Sequence, residues 1–335
     1  MAPALFLFLF APVSAEYLIG YDDTIGDPAV LIFGLVIFGP LYGAPAVLIR
    51  ETVRRAGRGW PSMLLLGLAF GLAQAGLIDQ SLFNPDYRAI PYWDDMRQPT
   101  YIPAVGVSAF MVVEFLGGHV FGSICAPIAL AEALFPERST RPWLGPAGLA
   151  VMAVLWLLAA VFVLQDTLAH ETFTASPVQV VATTIIIVVL VAVAFRLPRT
   201  ARQPASPDPE PAPLVVGAVS LVLLGVRPLL AALSPVGPGP NGWLPTGIVF
   251  GAIVVWLVLM GRWSRRRGWG GQHVLAAAAG SLLGVAGAAF LVEPLGDVPA
   301  AAKYATNTAL LAIVLLLVVL AARAQRQHRV EEGAR

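Results

Sequence analysis

Long apolar runs separated by short polar, Pro-rich or Gly-rich connections make up most of the chain. The apolar core of a bilayer is about 30 Å thick, and a helix of about 20 apolar residues crosses it. The period-two alternation of a membrane β-barrel is absent. The pattern therefore predicts an all-α fold, a polytopic transmembrane helical bundle of about ten spans, at residues 3–20, 28–49, 60–78, 102–134, 143–165, 177–197, 213–233, 245–261, 272–292 and 301–322.

Composition excludes a soluble globular protein. Hydrophobic residues make up 58% of the 335-residue chain and charged residues only 12%, whereas soluble proteins carry about 25% charged residues. So few charges cannot cover the surface of a water-soluble globule of this length. Membrane lipids are therefore the expected surroundings, and a net charge of +1 argues against a nucleic-acid partner.

The chain offers few groups that bind cofactors. Its single cysteine, Cys125, excludes an internal disulfide and a cysteine-based metal site. The four histidines lie far apart in the sequence, and neither a Walker-type phosphate loop nor a GxGxxG segment after a strand is present. We therefore expect no metal ion and no cofactor, and the sequence identifies no catalytic residue.

Lys and Arg residues cluster in alternate connections. With the N-terminus inside, 17 of the 21 fall on the inner side, whereas Arg88, Arg97 and Lys303 fall outside and Arg227 lies within a span. Cytoplasmic loops of membrane proteins carry such an excess of Lys and Arg. The bias predicts a protein of a bacterial-type cytoplasmic membrane with both the N- and C-termini in the cytoplasm.

The first apolar segment has two interpretations. Residues 1–15 end in Val13-Ser14-Ala15, which resembles the small-residue cleavage site of a signal peptide. A signal peptide also carries basic residues before its apolar run, and none is present here. We therefore expect a retained first helix, with a cleaved signal as the alternative.

A proline-rich segment divides the chain. Residues 198–212 have a composition typical of flexible or extended linkers. This cytoplasmic linker separates an N-terminal six-span half, residues 1–197 with an outer loop at 79–101, from a C-terminal four-span half at 213–322 and a basic tail at 323–335.

Span four has an unusual length. Residues 102–134 contain no basic residue, and a straight helix of this length would measure about 50 Å, which exceeds the apolar core. Pro103, Gly117-Gly118 and Pro127 lie within it, so we expect a tilted, kinked or broken helix.

Two ionisable residues lie within span four. Counted from residue 102, Glu114 lies about 18 Å and His119 about 26 Å along the helix, where an ionised carboxylate costs at least about 2.5 kcal/mol. Ser123 shares a helix face with His119. Such residues favour a substrate or proton pathway, and the alternative is a pair of neutral side chains that hydrogen-bond to neighbouring helices.

The predicted outer side carries a second group of polar residues. Its first part lies near the first hairpin and comprises Glu16, Tyr17, Tyr21, Asp22, Asp23 and Asp27. Residues 79–101 combine four acids, two arginines and five aromatics with Asn-Pro and Ile-Pro turn signals. We expect this loop to fold over the spans as a lid. The alternative is a solvated loop with interfacial aromatics. The candidate outer-face site comprises Glu16, Asp79, Gln80, Asp86 and Tyr87.

Charged and small residues within the spans predict specific packing. Arg227 is expected either to reach the outer interface or to pair with Glu16 or Glu293. Two inner ion pairs are expected, Glu51 with Arg50 and Glu132 with Arg138. Close helix approach is expected at three sets of small residues, which are Gly67 and Gly71 in span three, Gly118 and Gly122 in span four, and Ala276, Gly280, Gly284 and Ala288 in span nine.

Four segments between Ala11 and Pro136 carry a resemblance. They are AEYLIG (15–20), FGPLYGAPAVLIRE (38–51), GRGWP (57–61) and DQSLFNPDY (79–87). This stretch resembles a family of uncharacterised bacterial multi-pass membrane proteins. The resemblance implies a shared core of six or more spans and no particular activity.

A shorter segment is similar to another family. Phe115-Leu-Gly-Gly-His119 matches the FxxxH pattern of CAAX-type intramembrane proteases. Those enzymes carry paired glutamates about 40 residues earlier, where this chain reads Gln74-Ala75. Without the pair, a metal-activated water lacks its general base, so the resemblance does not imply protease activity here.

Three classes of function fit these observations. The leading hypothesis is movement of a small solute or proton through a pathway lined by span four, which requires a cavity that reaches Glu114. The alternative is an intramembrane or outer-face enzyme acting on lipid or peptide, which requires a carboxylate and a histidine that converge at one depth. A subunit or scaffold for a membrane-protein partner would instead be a sealed bundle with an exposed apolar groove.

Overall fold

The computed structural model describes residues 1–199, 206–233, 239 and 241–333. Ten long helices follow one another, and several of them change from α-helical to π-helical turns along their length. Their bounds are Ala2–Tyr17 (α1), Pro28–Arg55 (α2), Trp60–Ile78 (α3), Ala109–Leu134 (α4), Pro146–His170 (α5), Pro177–Arg196 (α6), Pro213–Leu233 (α7), Trp243–Trp263 (α8), Gly271–Ala288 (α9) and Ala300–Gly333 (α10).

The predicted all-α polytopic bundle is confirmed. Within the described residues, eight helices are long and apolar enough to cross a membrane. The two others are α1, which is shorter, and α9, which begins Gly271-Gln272-His273 and is rich in alanine and glycine. The count of ten spans and the sides of the termini therefore stay predictions.

Proline and short polar side chains set the helix starts. Proline is the first residue of α2, α5, α6 and α7, where its missing N–H costs no hydrogen bond. The Asp27 carboxylate caps α2 by accepting hydrogen bonds from the N–H groups of Ala29 and Val30. Ser176 and Gln179 form a capping box at the start of α6.

The N-terminal end of span four is not helical, which corrects the predicted bounds 102–134. Strands β1 (Tyr101–Ile102) and β2 (Val107–Ser108) form an antiparallel hairpin, and α4 begins at Ala109. Gly106 adopts a φ of +72° in the turn, a conformation that glycine tolerates. Glu114 therefore lies about 7.5 Å along the axis from the helix start, and the earlier value of 18 Å was too large.

Helices α3 and α4 occupy the centre of the bundle, and α5, α6, α8 and α10 present apolar side chains at the periphery. Helix α1 belongs to the core, because Leu7 and Ala11 have no exposed surface. It lies so close to α2 that any side chain at Gly43 would overlap the Phe8 carbonyl. Whether this helix is retained stays a prediction.

Small residues bring two helices of the C-terminal half together. A Cβ atom on Gly280 would overlap the backbone at Gly217, and one on Gly284 would overlap Gly225. The prediction of close packing at Gly280 and Gly284 is therefore confirmed, and the partner helix is α7. Helix α9 also packs against α4, so the two predicted halves share an interface.

The small pairs in the N-terminal half have different environments. Gly67 and Gly71 of α3 face Val120 and His119 of α4, as close packing requires. Gly118 instead faces the Arg227 guanidinium, and a Cβ atom on Gly122 would meet no neighbour. The expectation of close packing was therefore wrong for Gly118 and Gly122, because an arginine and open space lie beside this face of α4.

The described part of the predicted linker is extended and anchored. Strand β3 (Ser206–Pro209) pairs in parallel with β4 (Arg266–Arg267). His273 is buried, and its Nδ1 accepts a hydrogen bond from the Gly270 N–H at 3.1 Å. Its Nε2 therefore carries the proton that is donated to the Pro211 carbonyl at 3.1 Å. Residues 200–205 of the linker and 334–335 of the basic tail lie outside the described residues, and α10 includes the tail as far as Gly333.

A buried ionic cluster joins α2 and α4 at the predicted inner end. Arg50 and Glu51 have fully buried side chains and lie 2.7 Å apart. Glu132 accepts hydrogen bonds from Arg50 Nε at 3.0 Å and Arg54 Nη2 at 2.6 Å. The expected Arg50–Glu51 pair is confirmed, whereas the expected partner of Glu132 was wrong. Arg138 contributes its backbone carbonyl, which accepts a hydrogen bond from Arg50 together with those of Ser139 and Arg141.

Replacing Arg50 tests how much this cluster stabilises the protein. Arg50→Met leaves two buried carboxylates without their shared cation, and breaking a buried ion pair typically costs about 3 to 5 kcal/mol. We expect a large fall in Tm, measured by thermal unfolding of the purified protein. Arg138→Gln is the matched control, since the Arg138 side chain is exposed and its backbone carbonyl is kept. A Tm equal to that of the wild type in Arg50→Met would contradict this role.

The predicted orientation is testable with single cysteines, because the native Cys125 is buried. Asp95 and Ser264 are both exposed and lie on opposite predicted sides. We expect an impermeant thiol reagent to label Asp95→Cys in intact cells and to label Ser264→Cys only after permeabilisation. Labelling of Ser264→Cys in intact cells would contradict the predicted topology.

Candidate functional site

A cavity of about 590 Å³ lies among α1, α2, α3, α4 and α7 beneath the 79–101 loop. We call it the polar cavity. Both groups of residues singled out in the sequence meet there. Glu114, His119 and Ser123 line it from α4, and Glu16, Asp79 and Tyr87 line it from α1, the end of α3 and the loop.

Four π-helical turns form the walls of the polar cavity. They are Val13–Tyr17 in α1, Gly39–Gly43 in α2, Gln74–Ile78 in α3 and Gly118–Cys125 in α4. Each turn contributes at least one polar side chain to the lining, namely Ser14 and Glu16, Tyr42, Gln74, and His119 and Ser123. π-Helical turns are rare in proteins overall. Those that do occur are often found at functional sites.

Proline explains two of these wide turns. Pro127 has no N–H and cannot donate to the Ser123 carbonyl in the α-helical register. Pro45 likewise cannot donate to the carbonyl of Leu41. The backbone just before each proline therefore widens, and the polar side chains of that turn face the cavity.

Glu114 and Arg227 form an ion pair in the wall of the polar cavity. Arg227 Nη1 lies 2.9 Å from Glu114 Oε2, and the two side chains are 17% and 10% exposed. The neighbouring Gly117 and Gly118 leave space for the guanidinium. The partner of Arg227 is therefore Glu114, which corrects the expectation of Glu16, Glu293 or the outer interface.

His119 lies against aromatic rings at the base of the polar cavity. Its ring stacks on Tyr42 at 5.9 Å and meets the edge of Phe70 at 5.7 Å. Its Nδ1 lies 3.4 Å from Ser123 Oγ, which is long for a hydrogen bond. Within the described residues no carboxylate is hydrogen-bonded to His119, because the Glu114 carboxylate forms its ion pair with Arg227. The structure therefore forms no Ser-His-carboxylate relay.

Two other carboxylates lie on the opposite wall. Glu16 Oε2 accepts a hydrogen bond from the Tyr21 hydroxyl at 3.2 Å, and Tyr42 lines the same cavity. Asp79 accepts hydrogen bonds from Gln74 Nε2 at 3.2 Å and from the Ser81 N–H at 2.9 Å. Burial raises the pKa of Asp79, and the hydrogen bonds from Ser81 and Gln74 partly oppose this shift.

A second cavity of about 680 Å³ lies beside the first towards the predicted outer side, and we call it the vestibule. Glu16 and Tyr87 line both spaces. The vestibule contains more acids than bases. Its ionisable side chains are Glu16, Asp22, Asp23, Asp86, Arg88, Asp166, His170 and Glu171.

The structure separates two of the predicted outer-face residues from the polar cavity. Asp86 is exposed and lines the vestibule. Gln80 is buried, and its side-chain oxygen accepts a hydrogen bond from the Ala175 N–H at 2.7 Å. Gln80 therefore holds the loop before α6.

The 79–101 loop packs over the helices, as expected. Trp93 is buried and its ring stacks on Phe115 of α4 at 5.9 Å. The Trp93 indole N–H donates to the Asn84 carbonyl at 2.9 Å. Both Trp93 and Tyr87 line the polar cavity, so the loop forms its roof.

Sequence reasoning did not assign Tyr42, Gln74 or Arg227 to a site. Arg227 and Gln74 carried a usable signal, because each is a strongly polar residue inside an apolar run. Tyr42 carried none, since an aromatic near a membrane interface is ordinarily an anchor.

The described residues contain one group of three side chains whose ligand atoms lie close enough to hold a metal ion. It comprises Glu137, His328 and Glu331, with both carboxylates exposed. The group lies at the predicted inner end, away from the polar cavity. Exposed acidic groups of this kind are common without a metal ion, and the group adds nothing to the chemistry of the cavity.

Comparison with known proteins gives one match. The model of a family described as Uncharacterized membrane protein family matches residues 5–329. No curated protein and no solved structure matches the chain.

The Glu114–Arg227 pair generates a testable expectation. Glu114→Gln leaves the Arg227 guanidinium in a largely buried site without its counter-charge, at a cost of about 3 kcal/mol. We expect a lower Tm for Glu114→Gln and partial recovery in the double variant Glu114→Gln/Arg227→Gln, measured as a double-mutant cycle of thermal unfolding. Additive effects of the two substitutions would show that the pair contributes no coupling energy.

Proposed function

Because the chain belongs to the uncharacterized membrane protein family matched above, we propose from its cavity that this multi-pass membrane protein moves a small solute or a proton through a pathway lined by α4. The bilayer concerned is a bacterial-type cytoplasmic membrane, with both termini in the cytoplasm. The observation that carries the proposal is the polar cavity, which unites Glu114, His119 and Ser123 of α4 with Glu16 and Asp79.

The contacts in the polar cavity favour transport over catalysis. An acyl-transfer or hydrolytic enzyme needs a nucleophile within hydrogen-bond reach of a base that a third group orients. Here the His119–Ser123 distance is 3.4 Å, and the nearby carboxylate of Glu114 is paired with Arg227. A scaffold is less favoured because its function does not require a polar cavity.

The inner end of the bundle supplies the closed side that a transporter requires. Below Ser123, the side chains of Ile124 and Ile128 are fully buried, and the ionic cluster of Arg50, Glu51 and Glu132 follows at the end of the helices. The pathway is therefore open towards the vestibule and closed towards the predicted cytoplasm. Alternating access then requires α2 and α4 to separate at this cluster.

The Glu114–Arg227 pair is suited to couple binding with movement. A proton delivered to Glu114 removes the charge that holds Arg227, and α4 and α7 then lose their shared ion pair. A proton or cationic solute in the polar cavity thus changes the contact between the N-terminal and C-terminal halves.

Flux measurements in liposomes test this proposal. Purified full-length protein is reconstituted with an entrapped pH-sensitive dye, and an inside-negative potassium diffusion potential is imposed with valinomycin. We expect faster internal acidification than in empty liposomes, either without solute or on addition of the alkylammonium probe used below. We also expect the double variant Glu114→Gln/Arg227→Gln to lose most of the flux.

Asp95→Asn is the matched control, because Asp95 is exposed and lines neither cavity. Acidification that matches empty liposomes under both conditions would refute the proposal, provided that the protein is folded in the bilayer. Equal flux in the wild type and the double variant would refute the role given to Glu114.

A further inference from the structure

We propose that the polar cavity binds a small protonated amine that carries N–H donors and an apolar tail. This inference rests on the proposed function, since it specifies the chemical class of the solute. It is carried by an unpartnered acceptor, by carboxylates without counter-charges and by the aromatic lining of the same space.

The unpartnered acceptor is the side-chain oxygen of Gln74. Gln74 is 2% exposed, and its Oε1 has no hydrogen-bond partner in the described part of the chain. The amide orientation follows from its other end, because Nε2 donates to the Asp79 carboxylate at 3.2 Å, and an ionised carboxylate can only accept. A ligand that satisfies Oε1 must therefore bring a donor.

Two carboxylates next to this acceptor lack counter-charges. Among the described residues neither Glu16 nor Asp79 forms an ion pair, and their partners are hydroxyl, amide and backbone N–H groups. Glu114 and Asp22, which also line the cavity, are already paired with its two arginines. Buried charges are ordinarily paired, so Glu16 and Asp79 can accept a cation from outside the chain.

The remaining lining indicates an organic cation rather than a bare metal ion. Tyr21, Tyr42, Tyr87 and Trp93 line the polar cavity, and aromatic faces attract ammonium groups. A volume of about 590 Å³ lies in the range of small-molecule sites and far exceeds a dehydrated ion. Phe38, Leu41 and Phe115 supply an apolar wall for the rest of the ligand.

The vestibule complements this site. Its side chains are predominantly acidic, and a cleft lined by one sign of charge concentrates ions of the opposite sign. A cationic solute would therefore be drawn from the predicted outer side towards Glu16, which lines both spaces.

Binding of defined probes tests the proposal. The purified full-length protein is titrated at pH 7 with n-butylammonium, and binding is followed by calorimetry and by the rise in Tm. Tetraethylammonium matches the charge but has no N–H donor, and 1-butanol matches the tail but has no charge. We expect n-butylammonium to bind at least about tenfold more tightly than either, since a hydrogen bond to a charged group contributes about that factor.

Variants locate the site. Asp79→Asn keeps the shape but removes the charge, and we expect at least about tenfold weaker binding of n-butylammonium. Gln74→Met removes the free acceptor, and we expect it to reduce the preference for n-butylammonium over tetraethylammonium. Asp95→Asn, in the same loop but outside both cavities, should leave binding unchanged. If Asp79→Asn fails to fold, Glu16→Gln provides the same test of charge.

The failures of the two proposals are distinguishable. Equal binding of the three probes, or unchanged binding in a folded Asp79→Asn or Glu16→Gln variant, would overturn the amine site. Specific binding of n-butylammonium, with acidification that matches empty liposomes both with and without the probe, would overturn transport and leave the amine site standing. Proton flux without binding of n-butylammonium would overturn the amine site and leave transport standing.

Discussion

Every backbone and side-chain polar group that this bundle buries must find its partner within the protein, because lipid offers none. The four π-helical turns meet this constraint while opening a polar space. In each of them the backbone hydrogen bonds continue at a wider spacing, and the helix does not have to break. The extra residue turns polar side chains such as Gln74 and His119 towards the same space. Without the wide turns, straight helices would bring apolar faces together there.

The same constraint explains how the two ends of the bundle differ. At the predicted inner end, Arg50 satisfies two carboxylates and three backbone carbonyls, so this ionic cluster needs no partner from outside. At the predicted outer end, Gln74 Oε1 has no partner among the described residues and two carboxylates have only neutral donors. The inner ionic cluster is complete as folded, whereas the polar cavity keeps acceptors that its own described side chains do not satisfy.

The sequence predicted the helices well because the lipid environment requires continuous apolar segments, which are directly visible in the residues. It also identified Glu114, His119 and Asp79, since ionisable residues inside or beside such segments are conspicuous. It did not predict that these residues share one space, because that depends on how α1, α3 and α4 pack in three dimensions. The start of α4 was misplaced for a local reason. Ile102 and Val105 are apolar enough to extend the run, whereas Gly106 and the Ser108 cap turn that stretch into a hairpin.

The distance in sequence between ion-pair partners determines the order in which the ion pairs can form while the chain is synthesised. Arg50 lies 82 residues before Glu132, and Glu114 lies 113 residues before Arg227. A ribosome that adds about 5 to 20 residues per second therefore leaves Glu114 without its partner for roughly 6 to 23 seconds. During that interval α4 holds a carboxyl group with no counter-charge, and the neutral, protonated form is the one that the apolar surroundings accept. The inner cluster closes first, and the cavity takes its final electrostatic form only when α7 enters the membrane.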